Sequence, residues 1–242
     1  MKIFKVDATT STNRLSRVLN KENDKNDFCV SAEFQTEGRG QLNSSWQSKK
    51  SENLMFTIVF NRLQLNIKKQ FLLNALVCLK IHKVLQTYNL PKLSLKWPND
   101  ILSGNSKICG ILIENSLSGN LIKTAFIGIG LNVNQTEFEN LPNASSLKKL
   151  LGHSVDREKL LRNLVEEIGT IPENLKIENF DEIIKSYKKY LYKYKMSSQF
   201  VLPNGEMHSA VIKDIALDGQ ILVKFKSGKE KYYHHKEISQ QY

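Results

Sequence analysis

Four short segments of this 242-residue chain hold residue types at spacings that could do chemistry. In Gln35-Thr36-Glu37-Gly38-Arg39-Gly40-Gln41-Leu42-Asn43-Ser44-Ser45-Trp46, two glycines flank one arginine. The glycines let the backbone approach a ligand closely while the guanidinium reaches a phosphate or a carboxylate. The same pattern also makes an ordinary surface turn. In Leu95-Lys96-Trp97-Pro98-Asn99-Asp100-Ile101 a strand ends, proline forbids its continuation and Asn-Asp turns the chain. A lysine, an amide and a carboxylate grouped at a strand's exit suit ATP, with Asp100 a contact for Mg2+ or ribose. In Lys107-Ile108-Cys109-Gly110-Ile111-Leu112-Ile113-Glu114 a lysine opens an apolar strand, and Gly110 points to close backbone approach. In Gly128-Ile129-Gly130-Leu131-Asn132-Val133-Asn134, alternate glycines leave one sheet face bare, for a flat ligand or, more simply, for a packed helix.

The elements that must position these segments follow from periodicity. Met1 to Asp7 reads as a short strand. Ser11-Thr12-Asn13 supplies capping side chains ahead of Leu15, Val18 and Leu19, an i, i+3, i+4 apolar stripe. Phe28 to Phe34 is a strand, Gln35 to Lys50 a polar loop, and Asn53 to Phe60 a strand apolar enough for burial on both faces. Lys68 to Tyr88 is the longest helical pattern, with Phe71, Leu72, Ala75, Leu76, Leu79 and Leu85 on one broad face. Strands follow near Leu93 to Trp97, Ile108 to Asn115 and Leu121 to Val133, the last two joined through Ser118-Gly119-Asn120. Asp156 can cap a helix that turns Leu160, Leu161, Leu164, Val165 and Ile168 inward. A second helix carries Phe180, Ile183, Ile184, Tyr187, Tyr190, Leu191 and Tyr194 as a stripe.

After about Ser197 the texture changes. Short alternating runs are separated by Asn204-Gly205, Asp218-Gly219 and Ser227-Gly228, three hairpin signals close together. The expectation is an α+β domain over residues 1–195, built around one sheet, and a small five-stranded β-barrel over residues 196–242.

Composition narrows the functional classes. The formal charge of +11 raises the question of nucleic acid. Among the 35 basic residues, however, the arginines are only Arg14, Arg17, Arg39, Arg62, Arg157 and Arg162, and the lysines are spread along the chain. That pattern fits a solvated lysine-rich surface. Cys29, Cys78 and Cys109 are widely spaced and odd in number, which suggests no disulfide framework, and no CxxC or HxxxH spacing suggests a zinc site. No apolar run reaches the roughly 20 residues needed to cross a bilayer, and the first residues lack the apolar core of a signal peptide. The expected location is the cytoplasm, with no membrane partner.

Taken in order, these segments resemble the biotin–protein ligase family. The likeness runs from Thr10-Ser11-Thr12-Asn13, through Gly38-Arg39-Gly40 and Trp46, to Lys96-Trp97-Pro98-Asn99-Asp100, Lys107 to Ile111, and Gly128 to Val133. The resemblance implies a mixed sheet with helices, similar to the catalytic domain of class II aminoacyl-tRNA synthetases, plus an SH3-like barrel at the end. It also implies the activity: ATP-dependent joining of biotin to AMP with release of pyrophosphate, then transfer to a lysine of a biotin carboxyl carrier domain of an acyl-CoA carboxylase.

By the same resemblance, the ureido ring of biotin lies against Ser11, Thr12, Asn13 and Gln35. Gly38, Arg39, Gly40 and Gln41 are further biotin-binding positions, and the valeryl chain passes over the bare glycine face near Gly110 and Gly130. Lys107 meets the carboxylate and Arg39 the phosphate. Lys96, Asn99, Asp100 and Asn132 lie near ATP, Trp46 beside the adenine, and Asp100 against Mg2+. Arg39, Lys107 and Lys96 are the expected catalytic residues. The family includes monomers and homodimers.

The chain departs from many relatives at two points. Gln41 stands where a second basic residue is common, so looser retention of the adenylate is expected. The catalytic pattern also begins at the first residue, ahead of which some relatives carry a DNA-binding domain, and no DNA partner is expected. A lipoate or octanoate ligase on a related fold is the nearest rival, but its substrates would not require the polar set at Ser11 to Asn13 and Gln35. A basic nucleic-acid-binding regulator, suggested by the charge and by Tyr232-Tyr233-His234-His235, is more distant.

Overall fold

The structure, a computed structural model, describes residues 1–41, 44–177 and 180–242. Leu42 and Asn43 of the glycine–arginine loop lie outside the described residues. Seven strands build the larger sheet: β1 (Lys2–Thr9), β2 (Phe28–Gln35), β3 (Leu54–Asn66), β4 (Leu93–Lys96), β5 (Asp100–Ser103), β6 (Ser106–Ser118) and β7 (Leu121–Leu131). Their order is β1-β2-β3-β7-β6-β5-β4. β1 and β2 run parallel, joined through helix α1 (Thr12–Asn20), and every other pairing is antiparallel. The expected mixed sheet with helices is therefore the observed architecture.

Alternation along the central strands separates two faces. On one, Leu54, Phe56, Ile58 and Phe60 of β3 join Ile127, Ile129 and Leu131 of β7 and Cys109 and Ile111 of β6 in the main core. That core includes α2 (Gln70–Gln86), α4 (Arg157–Gly169) and α6 (Phe180–Lys189). α2 is buried almost all round and not on one face alone, because it packs against the sheet as well as α4 and α6.

Several local expectations need correcting. α1 has Ser11 at its N-cap position, but the side chain makes no capping bond. Its buried residues are the polar Thr12, Asn13 and Ser16, while Val18 is exposed. β5 was not anticipated: Asn99-Asp100 opens a returning strand, with Lys96 paired to Asp100 across the hairpin and a cis Trp97-Pro98 bond at its turn. The short helices α3 (Leu147–Leu151) and α5 (Ile171–Ile177) also carried too few residues to show a period. The last helical stripe ends at Lys189 and not at Tyr194. The chain there passes into a run of turns with a single bridge at Leu191, and Leu95 N–H donates to Tyr190 C=O (2.8 Å) while Tyr192 N–H donates to Leu95 C=O (2.7 Å). The outer edge of β4 thereby gains partners it would otherwise lack. Asp156 caps α4 as expected, accepting from the N–H groups of Glu158 and Lys159.

The second sheet holds β8 (Ser197–Val201), β9 (Met207–Ile215), β10 (Ile221–Phe225), β11 (Glu230–Tyr233) and β12 (Ser239–Gln240), in the order β11-β10-β9-β8-β12, all antiparallel. Gly205, Gly219 and Gly228 adopt positive φ at the turns where they were expected. Phe200, Ile212, Ile215, Ile221 and Val223 join the same core as α2. Trp97 Nε1 donates to Gly219 C=O (2.8 Å) and Lys188 pairs with Asp214 (2.7 Å), so the second sheet is fixed to the Lys96–Asp100 hairpin and to α6.

Candidate active site

Register builds the site. Met55 of β3 lies opposite Gly130 of β7, Gly130 opposite Gly110 of β6, Gly110 opposite Asp100 of β5, and Asp100 opposite Lys96 of β4. Residues opposed across a sheet share a face. One cross-strand row therefore sets a bare patch of two glycines beside a carboxylate and an ammonium. The next row places Thr57, Gly128 and Leu112 side by side, and the third Val59, Phe126 and Glu114.

A cavity of ≈370 Å3 opens over these rows, lined in part by Ser11, Thr12, Asn13, Gln35, Asp100 and Lys107. Its polar end is the first turn of α1. Gln35 Oε1 accepts from Thr12 N–H (2.8 Å) and Oγ1 (3.1 Å), so the Gln35 carbonyl is committed to α1 and its amide N–H groups remain to donate. Asn13 Nδ2 donates to Glu114 (2.9 Å), and Thr57 Oγ1 lies within 2.8 Å of Thr12 Oγ1 and 2.7 Å of Asn13 Oδ1. A Cβ at residue 128 would stand 2.5 Å from Asn13 Oδ1, so glycine there gives Asn13 its place. A helix thus covers the glycine face only at Gly128. Over Gly130 lies the Trp46 ring, whose Cε2 would be 2.3 Å from a Cβ on that residue.

A second cavity, of ≈310 Å3, adjoins the first and shares Trp46, Lys107, Ser44 and Ser45 with it. Asn132, Phe138, Leu141 and Tyr242 line it further. Lys107 stands where the two meet, its Nζ 2.7 Å from Asp100 Oδ1 and 5.9 Å from the Trp46 ring centre. Asn132 is buried and donates to Ser145 C=O (2.9 Å). Asn99 is buried too, and donates to Ile111 C=O (2.6 Å), tying the hairpin to β6. Lys96 lies beneath the ring of Tyr242, its Nζ 4.0 Å from the ring centre. Burial draws its ammonium below the usual lysine range, with Asp100 opposing the shift.

The glycine–arginine loop folds on itself. Gly40 N–H donates to Ser44 C=O (2.7 Å) and Trp46 N–H to Gly38 C=O (2.9 Å). A Cβ at Gly38 would stand 2.4 Å from the backbone oxygen of Trp46, and one at Gly40 2.3 Å from Ser44 Oγ, which would have to turn away. Arg39 spans the cavity mouth toward Glu114 (3.4 Å), and it also borders a larger groove of ≈930 Å3 that runs to the second sheet. Gln41 lies on the same rim.

All but one of the residues singled out from sequence thus come together around the two cavities, in their linings or, for Gly38, in the loop that closes over them. Lys96 stands just behind Tyr242. Thr57, Gly128 and Glu114 were not assigned roles from sequence. A hydroxyl inside the apolar run Leu54 to Phe60, and a carboxylate ending the Lys107 segment, are the only signals the sequence holds for two of them, and neither was distinctive enough to single the residue out.

The cysteines are placed for structure. Cys29, Cys78 and Cys109 are free and buried, and burial pushes the Cys29 thiol up to about 12 and raises the other two well above the usual thiol range. A thiol that stays protonated is a poor nucleophile. Among the described residues, no cluster of three or more His, Cys, Asp or Glu side chains is arranged to hold a metal, and no helix is long and apolar enough to cross a membrane.

The chain is 27% identical over 164 residues to the bifunctional ligase/repressor BirA of Bacillus spizizenii, covering 66% of this chain and 50% of that protein. It is 29% identical over 142 residues to a biotin–[acetyl-CoA-carboxylase] ligase of Mycobacterium tuberculosis, covering 57% of this chain and 51% of that protein. The chain spans about half the length of these curated relatives. Among solved structures, it shares its fold with a biotin protein ligase of Aquifex aeolicus in complex with biotin and ATP (TM-score 0.78, 23% identity, 99% and 98% of the two chains covered). A biotin protein ligase of Leishmania major in complex with biotinyl-5-AMP is also similar (TM-score 0.69, 23% identity, 96% and 98% covered). The pattern of the Biotin/lipoate A/B protein ligase family matches residues 3–132, more than half of the chain, and the protein belongs to that family.

Proposed function

We propose that the protein is a biotin–protein ligase. The observation that carries this reading is the pair of adjoining cavities with Lys107 between them, one floored by glycines and headed by Ser11, Thr12, Asn13 and Gln35, the other bordered by Asn132 and Trp46. A ureido ring offers two N–H donors and one carbonyl acceptor, which hydroxyls and amides at that polar end can match. Lipoate and octanoate have no such group and would leave those polar side chains unpaired.

In the first step a biotin carboxylate oxygen attacks the α-phosphorus of ATP, and the bond to the leaving pyrophosphate breaks. Charge grows on the α-phosphate oxygens, where the Lys107 and Arg39 cations stabilise it. Lys96 attracts the remaining phosphates. Arg39 must leave Glu114 to take this part, and Lys107 must exchange Asp100 for the substrate. In the second step a lysine amine of the carrier attacks the acyl carbon of the mixed anhydride. AMP leaves, an amide forms and the amine loses a proton. The ≈930 Å3 groove beside Arg39 gives the incoming lysine a route. The chemistry needs no enzyme nucleophile, in keeping with three inert cysteines.

Asp100 is the one carboxylate lining the first cavity among the described residues. One carboxylate plus phosphate oxygens is a usual Mg2+ environment, so the residues fit the ion. When bound, Mg2+ would offset the charge of the triphosphate. We read residues 1–195 as the catalytic domain and 196–242 as a small SH3-like barrel, and the partner as a biotin carboxyl carrier domain of an acyl-CoA carboxylase. Gln41 leaves one cation fewer beside the adenylate and should shorten its retention. A cytoplasmic location fits this chemistry.

The test is ATP–pyrophosphate exchange with biotin, lipoate and octanoate offered separately. Exchange with biotin alone is expected. Exchange with lipoate or octanoate would move the protein to another branch of its family, and silence with all three would leave a binding protein.

A further inference from the structure

The proposed mechanism leaves the second sheet without a task, yet the sheet's last strand runs along the site. β12 pairs with β8 through Ser239↔Val201 and Gln240↔Phe200. Gln241 N–H then donates to Gln199 C=O (2.8 Å), and the buried Gln240 side chain donates to Ser198 Oγ (2.9 Å). These bonds hold the chain's path on both sides of the site, so that Ser239 lines the first cavity and Tyr242 the second.

Tyr242 meets two charged groups that the mechanism uses, and a third lies one contact beyond them. Its ring centre is 4.0 Å from Lys96 Nζ, its hydroxyl lies beside the Asp100 carboxylate, and Asp100 is paired with Lys107. Burial and Asp100 together push the tyrosine hydroxyl above its usual range, so it stays protonated and able to donate. An ammonium held over an aromatic face is attracted by the ring quadrupole, most strongly where water is excluded. Lys96 is such a case, being 8% exposed.

We infer that Tyr242, delivered by the second sheet, is a wall of the nucleotide site that holds Lys96 in position for the phosphates of ATP. This rests on the reading of the second cavity as the nucleotide site. It gives the second sheet a part in adenylation: its β12–β8 pairing fixes Tyr242, which lines the second cavity and not the first. Phenylalanine at this position keeps the ring over Lys96 and loses only the hydroxyl beside Asp100. Alanine loses both.

The experiment is calorimetric binding of a non-hydrolysable ATP analogue to the full chain, with and without biotin, for the unmodified protein, Tyr242→Phe and Tyr242→Ala. Biotin binding is measured alongside. Tyr242→Ala is expected to weaken analogue binding about tenfold, the scale of one desolvated cation–π contact. Biotin binding should change by less than twofold, and Tyr242→Phe should recover most of the loss. Analogue binding unchanged in Tyr242→Ala would overturn the inference. Tighter binding would do so as well, because it would make Tyr242 an obstruction. An equal loss of biotin binding, or no recovery in Tyr242→Phe, would reduce the residue to a structural support. Failure of the unmodified protein to exchange pyrophosphate with biotin would sink the ligase reading separately, while the analogue titrations still decide whether Tyr242 borders a nucleotide site.

Discussion

The two faces of the larger sheet come from the same strands and differ in almost every property. Toward α2, the odd-numbered positions of β7 from residue 125 onward are Ala125, Ile127, Ile129 and Leu131, all buried in the main core. On the other face, Phe126 is followed by Gly128 and Gly130, which carry no side chain and are overlain by Asn13 and Trp46. β6 repeats the contrast, with Cys109 and Ile111 in the core and Gly110, Leu112 and Glu114 toward the cavity. One face buys cohesion by burying large apolar side chains. The other gives up that burial, and Asn13 and Trp46 lie against the bare backbone beside the cavity. The lesson is that stability and chemistry are divided here by strand parity and not by segment, so neighbouring residues should fail in different ways.

The comparison can be broken most decisively at Lys107. Lys107→Ala should slow biotin-dependent pyrophosphate exchange by about two orders of magnitude or more, the usual loss when one transition-state donor is removed. Unchanged exchange would end its role. A smaller effect is expected at Gly130→Ala, where the new methyl displaces the Trp46 ring. The KM for biotin should rise about tenfold, within the range that a small misplacement produces, and Tm should hardly move. A large fall in Tm instead would place Gly130 with the core.

On the opposite face Ile127→Val should do the reverse. It should cost about 0.5–1.5 kcal/mol of unfolding free energy in a urea titration, the common range for that change in a core, with exchange kinetics unaltered. A kinetic defect there would mean that the two faces are coupled. The smallest effect is expected far from both, at the start of α4. Asp156 is held below its usual carboxylate range, chiefly by the N–H of Lys159. Its stabilising contribution is therefore present above the unfolded value of 3.8 and lost as pH falls through the lower folded value. Asp156→Ala should lower Tm slightly at neutral pH, and the difference should fade below pH 3.8. A gap in Tm that persists in acid would show that the charge is not what matters.

Much of the chemistry was legible because it lies in short segments whose residue types are unusual for their setting. Gly-Arg-Gly, Lys-Trp-Pro-Asn-Asp and the alternate glycines each break the pattern of the element that holds them. The α1 segment was less legible. Its apolar spacing suggested a stripe of Leu15, Val18 and Leu19, yet the buried residues are Thr12, Asn13 and Ser16. Periodicity registers apolar burial, and a helix turned toward a polar cavity defeats it. Thr57 was obscured for the same reason, lying as one hydroxyl in a run that otherwise reads as core.

By itself the sequence determined the alternate glycines of β7, the cap of α4, the turn glycines of the second sheet and the motifs that point to a family. These are local properties, set by residue type and spacing within a few positions. Only the tertiary structure decided that Met55, Gly130, Gly110, Asp100 and Lys96 form one row, because that row depends on the combined register of three successive strand pairings and of β3 with the distant β7. It alone also brought Glu114 to Arg39 and Tyr242 to Lys96, contacts that span 75 and 146 positions. No local preference encodes such distances, and they are fixed by the packing of the core that both sheets share.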